Sequence, residues 1–336
     1  MADEILLGHR RRFMLRNTTN SQPPTMTELV LHPPSIGAVR VEAHASTGEG
    51  AQIPRIGIAL SAAAGVTITG LDLARPLSPE FKDLILETFL EHHVVVFPDQ
   101  VLTREQQYAF TANFGEIEPH IGQTPRSKRY AVAHVISNLD SDGKPADRSS
   151  SPVSNYRWHT DKAYYAVPPM LTALYAVELP PHGGDTEFAN TELGYATLSP
   201  DTKRRIAGLR VVFQWGAARR TSAEPLTGVE FHERPPVDHP LARTHPETGR
   251  RALYLGNHAS HILGMPEAEG AALLEELLVH TTKPQFVYAH RWRRGDLVIW
   301  DNRCTMHRGR PHDDAYPRDL RRATTLDVGS TLDEAA

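Results

Sequence analysis

The segment Trp158-His159-Thr160-Asp161 places an imidazole and a carboxylate two positions apart. In an extended chain, residues i and i+2 point to the same side, so His159 and Asp161 could offer a nitrogen and an oxygen to one metal ion. The pattern is weak by itself because the chain has 18 histidines, and the stretch 312–314 repeats it. A metal site would therefore need a third ligand from a distant part of the chain.

A second polar pattern, GDLVIWDNRCTMH, supplies a candidate for that ligand. A predicted strand, Leu297 to Trp300, is followed by a polar turn and then by His307. Two histidines and one carboxylate leave three positions of Fe(II) open for a chelating cosubstrate and O2. Catalytic zinc accepts the same three ligands. The ligand types thus leave three alternatives open: an iron oxygenase, a zinc-type metal-dependent hydrolase, and a non-catalytic barrel that binds a metal or a small molecule.

Three helices are predicted around these motifs. Ser78 followed by Pro79 is typical of a helix start. Thr103 with Gln106 three residues later is a capping box. A third helix is predicted from Pro266 to His280, with a stripe of leucines on one face.

The remaining segments favour short strands. Val94 to Pro98 is predicted to be a buried strand, and from about residue 130 short apolar segments alternate with Gly, Pro and Asp. They cover 170–177, 209–215, 286–292 and 296–300. Many short strands separated by turns predict a sandwich or a barrel, so the expected fold class is mainly β with flanking helices.

The composition limits the class of protein. The 336 residues are 40% hydrophobic and 23% charged, with a net charge of −4. This balance disfavours nucleic acid or an anionic membrane as partner. A single cysteine, Cys304, excludes an internal disulfide and favours a reducing, cytoplasmic location. Residues 1–60 are expected to be a loosely ordered extension, and residues 61–336 a single domain.

Five motifs in combination resemble the taurine/phenoxyacetate dioxygenases (the TauD/TfdA family), which are Fe(II)- and 2-oxoglutarate-dependent oxygenases. The resemblance covers roughly residues 65 to 328. It rests on FGEIEPH (Phe114 to His120), NYRWHTD (Asn155 to Asp161), PPHGGDTEF (Pro180 to Phe188), LYLGNHASHI (Leu253 to Ile262), and GDLVIWDNRCTMH (Gly295 to His307) followed by RDLRRAT. It implies a double-stranded β-helix, a cupin-like jelly roll.

The resemblance also implies roles for particular residues. His159, Asp161 and His307 would be the catalytic metal ligands. Arg318, eleven residues after the last histidine, would bind the distal carboxylate of 2-oxoglutarate together with Thr186. A planar guanidinium can hold a carboxylate through two hydrogen bonds, which Lys cannot do.

The substrate side follows from the same resemblance. Arg322, fifteen residues after the last histidine, would lie near the cosubstrate and the anionic group of the substrate, and His120 and Asn155 would contact the substrate. The expected substrate is a small carboxylate, sulfonate or sulfate, hydroxylated at a C–H bond with O2, with succinate and CO2 as co-products. The polar stretch from Ser137 to Ser154 is expected to act as a mobile lid. A homo-oligomer, dimer or tetramer, is compatible with the resemblance.

Overall fold

The computed structural model describes residues 52–118, 134–139, 143–145, 153–215 and 235–327. Strands dominate these ranges and helices flank them. The strands are β1 (Arg55–Ala59), β2 (Val66–Thr69), β3 (Val94–Phe97), β4 (His134–Ser137), β5 (Pro169–Glu178), β6 (Thr186–Asn190), β7 (Arg210–Phe213), β8 (Val237–Pro240), β9 (Ala242–Thr244), β10 (Arg251–Leu253), β11 (Ala259–Ile262), β12 (Val287–His290), β13 (Leu297–Asp301), β14 (Thr305–Gly309) and β15 (Asp319–Leu326). The helices are α1 (Pro79–His92), α2 (Arg104–Thr111), α3 (Thr191–Ala196), α4 (Pro200–Ile206) and α5 (Glu267–Thr281).

The described strands form one large sheet and three small ones. The large sheet has seven strands in the order β1-β2-β3-β13-β5-β15-β4. Two three-stranded sheets have the orders β12-β6-β14 and β11-β7-β8, and β9 pairs with β10. All these pairs are antiparallel except β2 with β3. The expected fold class, mainly β with flanking helices, is therefore confirmed.

The central strands of the large sheet are buried on both faces. In β3, Val95 and Phe97 pack with α1 and α2, whereas Val94 and Val96 face the β12-β6-β14 sheet and pack near Phe188. Side chains alternate between the two faces of a strand, so a continuous apolar run is what a strand covered on both sides requires. The predicted buried strand at 94–98 is confirmed, and its burial places a rigid layer behind the site.

The predicted helix starts are also confirmed. The Ser78 hydroxyl accepts a hydrogen bond from the backbone N–H of Phe81, and Pro79 is the first residue of α1. Thr103 and Gln106 form both bonds of the capping box at α2. Capping satisfies backbone N–H groups that have no partner inside the helix, which is why these short patterns locate a helix start well.

The structure differs from the sequence-based expectation at its N-terminal edge. The strand β1 lies within the segment assigned to the extension, yet it pairs with β2. Of the five residues of β1, only Ile56 is half-buried and the other four are exposed. The segment therefore has no hydrophobic pattern that predicts a strand. It is a strand because it pairs with the edge of β2 that β3 does not cover. Residues 1–51, His120 and most of the predicted lid lie outside the described residues. No helix within the described ranges has the length and apolar character needed to cross a bilayer.

Candidate active site

A short antiparallel bridge joins the two histidine motifs. The backbone N–H of His159 donates to the carbonyl of His307 at 3.0 Å, and the N–H of His307 donates to the carbonyl of His159 at 2.8 Å. His307 lies in the middle of β14, whereas His159 lies in the segment that leads into β5. The bridge therefore fixes the distance between two residues that are far apart in sequence.

The glycine of the LYLGNHASHI motif holds this segment from the other side. A Cβ atom on Gly256 would lie 3.1 Å from the Cα of His159, and the φ of Gly256 is +134°. The next residue, Asn257, donates its backbone N–H to the carbonyl of Trp158 at 2.9 Å. Only glycine combines this backbone conformation with so close an approach, so the motif packs directly against the backbone of the metal motif.

The bridge brings together the three side chains that the sequence proposed as ligands. His159, Asp161 and His307 each have a potential ligand atom within 4.8 Å of the others. The Nε2 atom of His307 lies 3.9 Å from Oδ1 of Asp161, and the two imidazole centroids are 4.2 Å apart. All three residues are buried. Their spacing suits three ligands of one ion that do not bond to one another.

The hydrogen bonds of His159 leave one ring nitrogen available. Its Nδ1 lies 2.8 Å from the carbonyl oxygen of Arg157. Because a carbonyl can only accept, Nδ1 carries the proton and Nε2 carries the lone pair that a metal needs. Burial lowers the pKa of His159, and burial together with His159 lowers the pKa of His307 to about 3. Both rings are therefore neutral, as metal ligands must be.

The carboxylate of Asp161 is oriented by two hydrogen-bond partners, one of which is itself held by a third residue. Its Oδ2 accepts a hydrogen bond from the Thr172 hydroxyl at 2.8 Å, and the Asn302 side-chain amide donates in turn to that hydroxyl at 2.9 Å. Its Oδ1 accepts from Arg322 at 2.8 Å. Burial alone would raise the pKa of Asp161, but the Arg322 guanidinium and the hydrogen bond from Thr172 hold it well below its usual range. The group is an anion in a fixed orientation.

These three residues open onto a cavity of about 440 Å³. Leu320 and Arg322 of β15 line it from one face of the strand, and Arg318, the residue just before β15, lines it as well. The rest of the lining is mixed, with aromatic and polar side chains: Ile136, Ser137, Asn138, Asn155, Tyr156, His159, Asp161, Lys162, Tyr164, Leu174, Thr186, Trp215, His258, Trp300, His307, Gly309, Arg310, His312 and Asp314.

Arg318 lies in the cavity wall with unused donor capacity. Its Nη2 donates to the carbonyl of Gly184 at 3.2 Å, while its buried Nε has no partner among the described residues. The backbone N–H of Arg318 donates a hydrogen bond to the side-chain Oδ1 of Asn138 at 2.8 Å, which fixes the backbone of Arg318. Burial lowers the pKa of Arg318 to about 10, so it remains a cation. A buried guanidinium of this kind is suited to a carboxylate ligand.

The other sequence-predicted residues occupy different parts of the cavity. The Thr186 hydroxyl is buried and accepts a hydrogen bond from Trp292 Nε1 at 3.0 Å. Asn155 lies on the exposed rim. Arg322 is partly buried beside Asp161. The position of His120 falls in the part of the chain that is not described, so its predicted role stays a prediction.

Several residues of the site were missed by the sequence reasoning. Thr172 is a polar residue inside the largely apolar run PMLTALYAV, and Asn302 lies inside a quoted motif; both patterns could have pointed to them. His258 stacks edge-on against Tyr164, with centroids 4.9 Å apart, and burial lowers its pKa to about 3. Lys162 directly follows a proposed ligand. These residues contact partners from distant segments of the chain, and no local sequence pattern reveals such contacts.

The comparisons with known proteins now bear on this geometry. The model of the family described as "Taurine catabolism dioxygenase TauD, TfdA family" matches residues 57–324. The chain belongs to the TauD/TfdA family. The resemblance stated from the motifs is thereby confirmed.

Two relatives and one solved structure illustrate the similarity. The 2,4-dichlorophenoxyacetate α-ketoglutarate-dependent dioxygenase of Cupriavidus pinatubonensis is 43% identical over 70% of this chain and 85% of its own length. The (S)-phenoxypropionate/α-ketoglutarate-dioxygenase of Sphingobium herbicidovorans is 34% identical over 76% of this chain and 88% of its own. A crystal structure of AAD-2 with Mn(II) and N-oxalylglycine has a TM-score of 0.77 at 36% identity, covering 84% of this chain and all of that one.

The family decides between the alternatives that the ligand types left open. This TauD/TfdA protein is a 2-oxoglutarate-dependent dioxygenase, an oxidoreductase that uses Fe(II) and O2. The zinc-type hydrolase and the non-catalytic barrel are not favoured by any feature of the described residues.

Proposed function

We propose that His159, Asp161 and His307 bind Fe(II) as a face of two histidines and one carboxylate. The observation that carries this assignment is the closeness of their three ligand atoms, all within 4.8 Å, at the wall of one cavity. The donor set fits Fe(II) because both imidazoles are neutral and Asp161 is an anion. It leaves three positions for other ligands.

The cosubstrate 2-oxoglutarate is assigned to the Arg318 side of the cavity. Arg318 would hold the distal carboxylate, with the unused Nε–H and an Nη–H as the paired donors. Thr186 lines the same wall, and its hydroxyl proton is free to bond outward because its oxygen accepts from Trp292. A Cβ on Gly184 would come within 3.1 Å of the Arg318 Nε, so glycine there keeps the guanidinium accessible.

Arg322 is assigned to the anionic group of the substrate. It is a cation in the partly buried region beside Asp161, and an anion in such surroundings needs a compensating charge. The body of the substrate would lie against the aromatic lining, which includes Tyr164, Trp215 and His258. Together with the phenoxyalkanoate substrates in the names of its relatives, this favours a small aryloxyalkanoate, within the broader class of carboxylates, sulfonates and sulfates.

The chemistry divides between metal and protein. Bound Fe(II) supplies O2-dependent decarboxylation of 2-oxoglutarate to succinate and CO2, coupled to hydroxylation of a substrate C–H bond. The protein orients the reactants: Thr172 and Asn302 fix the Asp161 carboxylate, and Arg318 and Arg322 fix the two anions. The apolar part of the lining excludes water from the reacting carbon.

We also propose that the strands form a double-stranded β-helix, a cupin-like jelly roll. Two features support this fold: the β12-β6-β14 sheet packs its apolar side chains onto the face of the seven-stranded sheet, and the similar solved structures include a taurine dioxygenase from Burkholderia xenovorans at a TM-score of 0.68. In this arrangement β14 is an edge strand of the smaller sheet, and its His307 lines the cavity.

The assignment is tested by anaerobic titration and by turnover. Purified protein with Fe(II) and 2-oxoglutarate should develop a visible charge-transfer absorption without O2. On addition of O2 and 2,4-dichlorophenoxyacetate it should release succinate in proportion to substrate consumed. Absence of the absorption band in folded wild-type protein would overturn the ligand assignment, whereas a band without substrate-dependent succinate would overturn only the substrate class.

A further inference from the structure

A lysine without an assigned role lies next to the metal motif. Lys162 directly follows Asp161 and lines the cavity. Its φ is +47°, in the left-handed region that residues other than Gly, Asn and Asp seldom adopt. Backbone strain of this kind concentrates at functional sites.

The ammonium group of Lys162 is held by one carboxylate. Its Nζ lies 2.6 Å from Oε1 of Glu118, and both side chains are mostly buried, at 15% and 11% exposed. The other oxygen of Glu118 accepts a hydrogen bond from Thr324 at 3.0 Å. Thr324 is two positions after Arg322 on β15, so the ion pairs Asp161–Arg322 and Lys162–Glu118 are neighbours on one face of that strand.

The charges around the cavity leave a single positive charge for the substrate. Asp161 is assigned to the metal and Arg318 to the cosubstrate. That leaves Arg322 and Lys162 against Glu118, a balance of plus one. Two further charged groups line the rim, Arg310 and Asp314, but their side chains are 49% and 43% exposed, so water screens them.

We propose that Lys162 is a second cation for the anionic group of the substrate and makes the site specific for monoanions. This inference rests on the proposed function. An ammonium group has three N–H donors, and Glu118 uses one, so Lys162 can donate to a substrate carboxylate that Arg322 also holds. Glu118 keeps the lysine at the cavity wall and cancels one charge, which disfavours a dianionic substrate group.

The test compares substrate binding in matched variants. Lys162→Met removes the charge while keeping the length of the side chain, and Lys162→Asn removes it with a residue that tolerates the left-handed conformation. Glu118→Gln keeps the shape of the partner but removes its charge, and Lys82→Met changes an exposed lysine of α1. Calorimetric titration of 2,4-dichlorophenoxyacetate into Zn(II)- and 2-oxoglutarate-loaded protein measures affinity without turnover.

The proposal predicts opposite effects at the two partners. Both Lys162 variants should weaken binding of 2,4-dichlorophenoxyacetate about tenfold, and their affinity for 2-oxoglutarate should change less than twofold. Glu118→Gln should tighten substrate binding by about threefold, and Lys82→Met should leave it unchanged. The Asn variant decides the result if the Met variant does not fold.

Three results would overturn it. If wild type binds the acid and both Lys162 variants bind it equally well, Lys162 has no part in substrate binding. If Lys162→Met and Glu118→Gln weaken binding to the same extent, the ion pair only stabilises the local structure and Lys162 does not bind the substrate. If wild type binds neither this acid nor other aryloxyalkanoates, the substrate class of the proposed function fails, and the role of Lys162 fails with it.

Discussion

Two of the three buried clusters of potential metal ligands in the described part of the chain look alike by composition. One contains His159, Asp161 and His307; the other contains His245, Asp301 and Cys304, also with three potential ligand atoms within 4.8 Å of one another. Closeness and donor type therefore do not identify a metal site. The difference lies in what each donor atom already contacts.

In the second cluster the protein itself uses the donor atoms. Both nitrogens of His245 are engaged: Nε2 with Asp301 at 3.0 Å and Nδ1 with the backbone N–H of Thr248 at 3.3 Å. Arg303 donates to both oxygens of Asp301 at 2.9 and 2.7 Å. Burial raises the pKa of the Cys304 thiol well above its usual value, so the thiolate that a metal requires is disfavoured.

In the first cluster, donor capacity remains and a cavity reaches it. His159 keeps the lone pair of Nε2, and Nε2 of His307 lies 3.9 Å from Oδ1 of Asp161, beyond hydrogen-bond distance. The Asp161 carboxylate is oriented by Thr172 but faces the cavity beside Arg322. A metal-binding cluster therefore differs from a structural one in two ways: some of its ligand atoms have no hydrogen-bond partner in the protein, and these atoms lie next to a cavity. In a structural cluster, other protein groups already bond to the ligand atoms.

Replacing a proposed ligand should give the largest effect. His307→Ala is expected to abolish Fe(II) binding while the protein stays folded, and to lower turnover by more than the roughly 10–100-fold that loss of a hydrogen-bond partner of a metal ligand costs. Metal content and circular dichroism measure the two properties. The control is His261→Ala at an exposed histidine, and a His307→Ala protein that retains one iron and activity would contradict the assignment.

Replacing Asp301 in the second cluster should lower the stability of the fold and leave iron binding unchanged. Asp301→Asn removes the fully buried carboxylate that pairs with Arg303 and His245 and leaves Arg303 paired with the half-buried Glu247; breaking a buried ion pair costs up to about 3–5 kcal/mol. We expect that decrease in the free energy of unfolding by denaturant titration, with iron per folded molecule unchanged. Asp201→Asn on the exposed surface of α4 is the control. A normal stability combined with lost iron would reverse the roles of the two clusters.

The next largest effect is expected from weakening the contact between Arg318 and 2-oxoglutarate. Arg318→Lys keeps the charge but loses the paired donors, so 2-oxoglutarate should bind more weakly by about 1.5–3 kcal/mol. The anaerobic charge-transfer titration measures this affinity. Arg321→Lys, one residue before Arg322 and outside the cavity lining, serves as control. Equal 2-oxoglutarate affinity in wild type and Arg318→Lys would place the distal carboxylate elsewhere.

The smallest expected effect comes from the group that orients Asp161. Thr172→Val preserves shape but removes the hydroxyl that donates to the carboxylate, and Thr172→Ser restores it. We expect Fe(II) affinity to fall roughly tenfold in the Val variant, the lower end for partners of metal ligands, and to recover in the Ser variant. If Ser and Val behave alike, the effect is one of packing and the hydroxyl has no orienting role.

The sequence alone determined features that depend on a few neighbouring residues. The starts of α1 and α2 follow from Ser78 and Thr103 because capping is a local hydrogen bond. The buried strand at 94–97 follows from an unbroken apolar run. The proposed ligands follow from two short motifs, since a strand places positions i and i+2 on one side.

Only the tertiary structure showed which ligand atoms of these groups already have hydrogen-bond partners in the protein and which remain available. Local sequence shows only part of the difference between Asp161 and Asp301. Arg303, two residues after Asp301, is a local partner, but the other partners come from distant segments: Thr172 and Arg322 for Asp161, and His245 for Asp301. The pairing of Lys162 with Glu118 likewise joins residues that are 44 positions apart. Burial strengthens these contacts by removing competing water, and burial is a property of the packed sheets rather than of any segment.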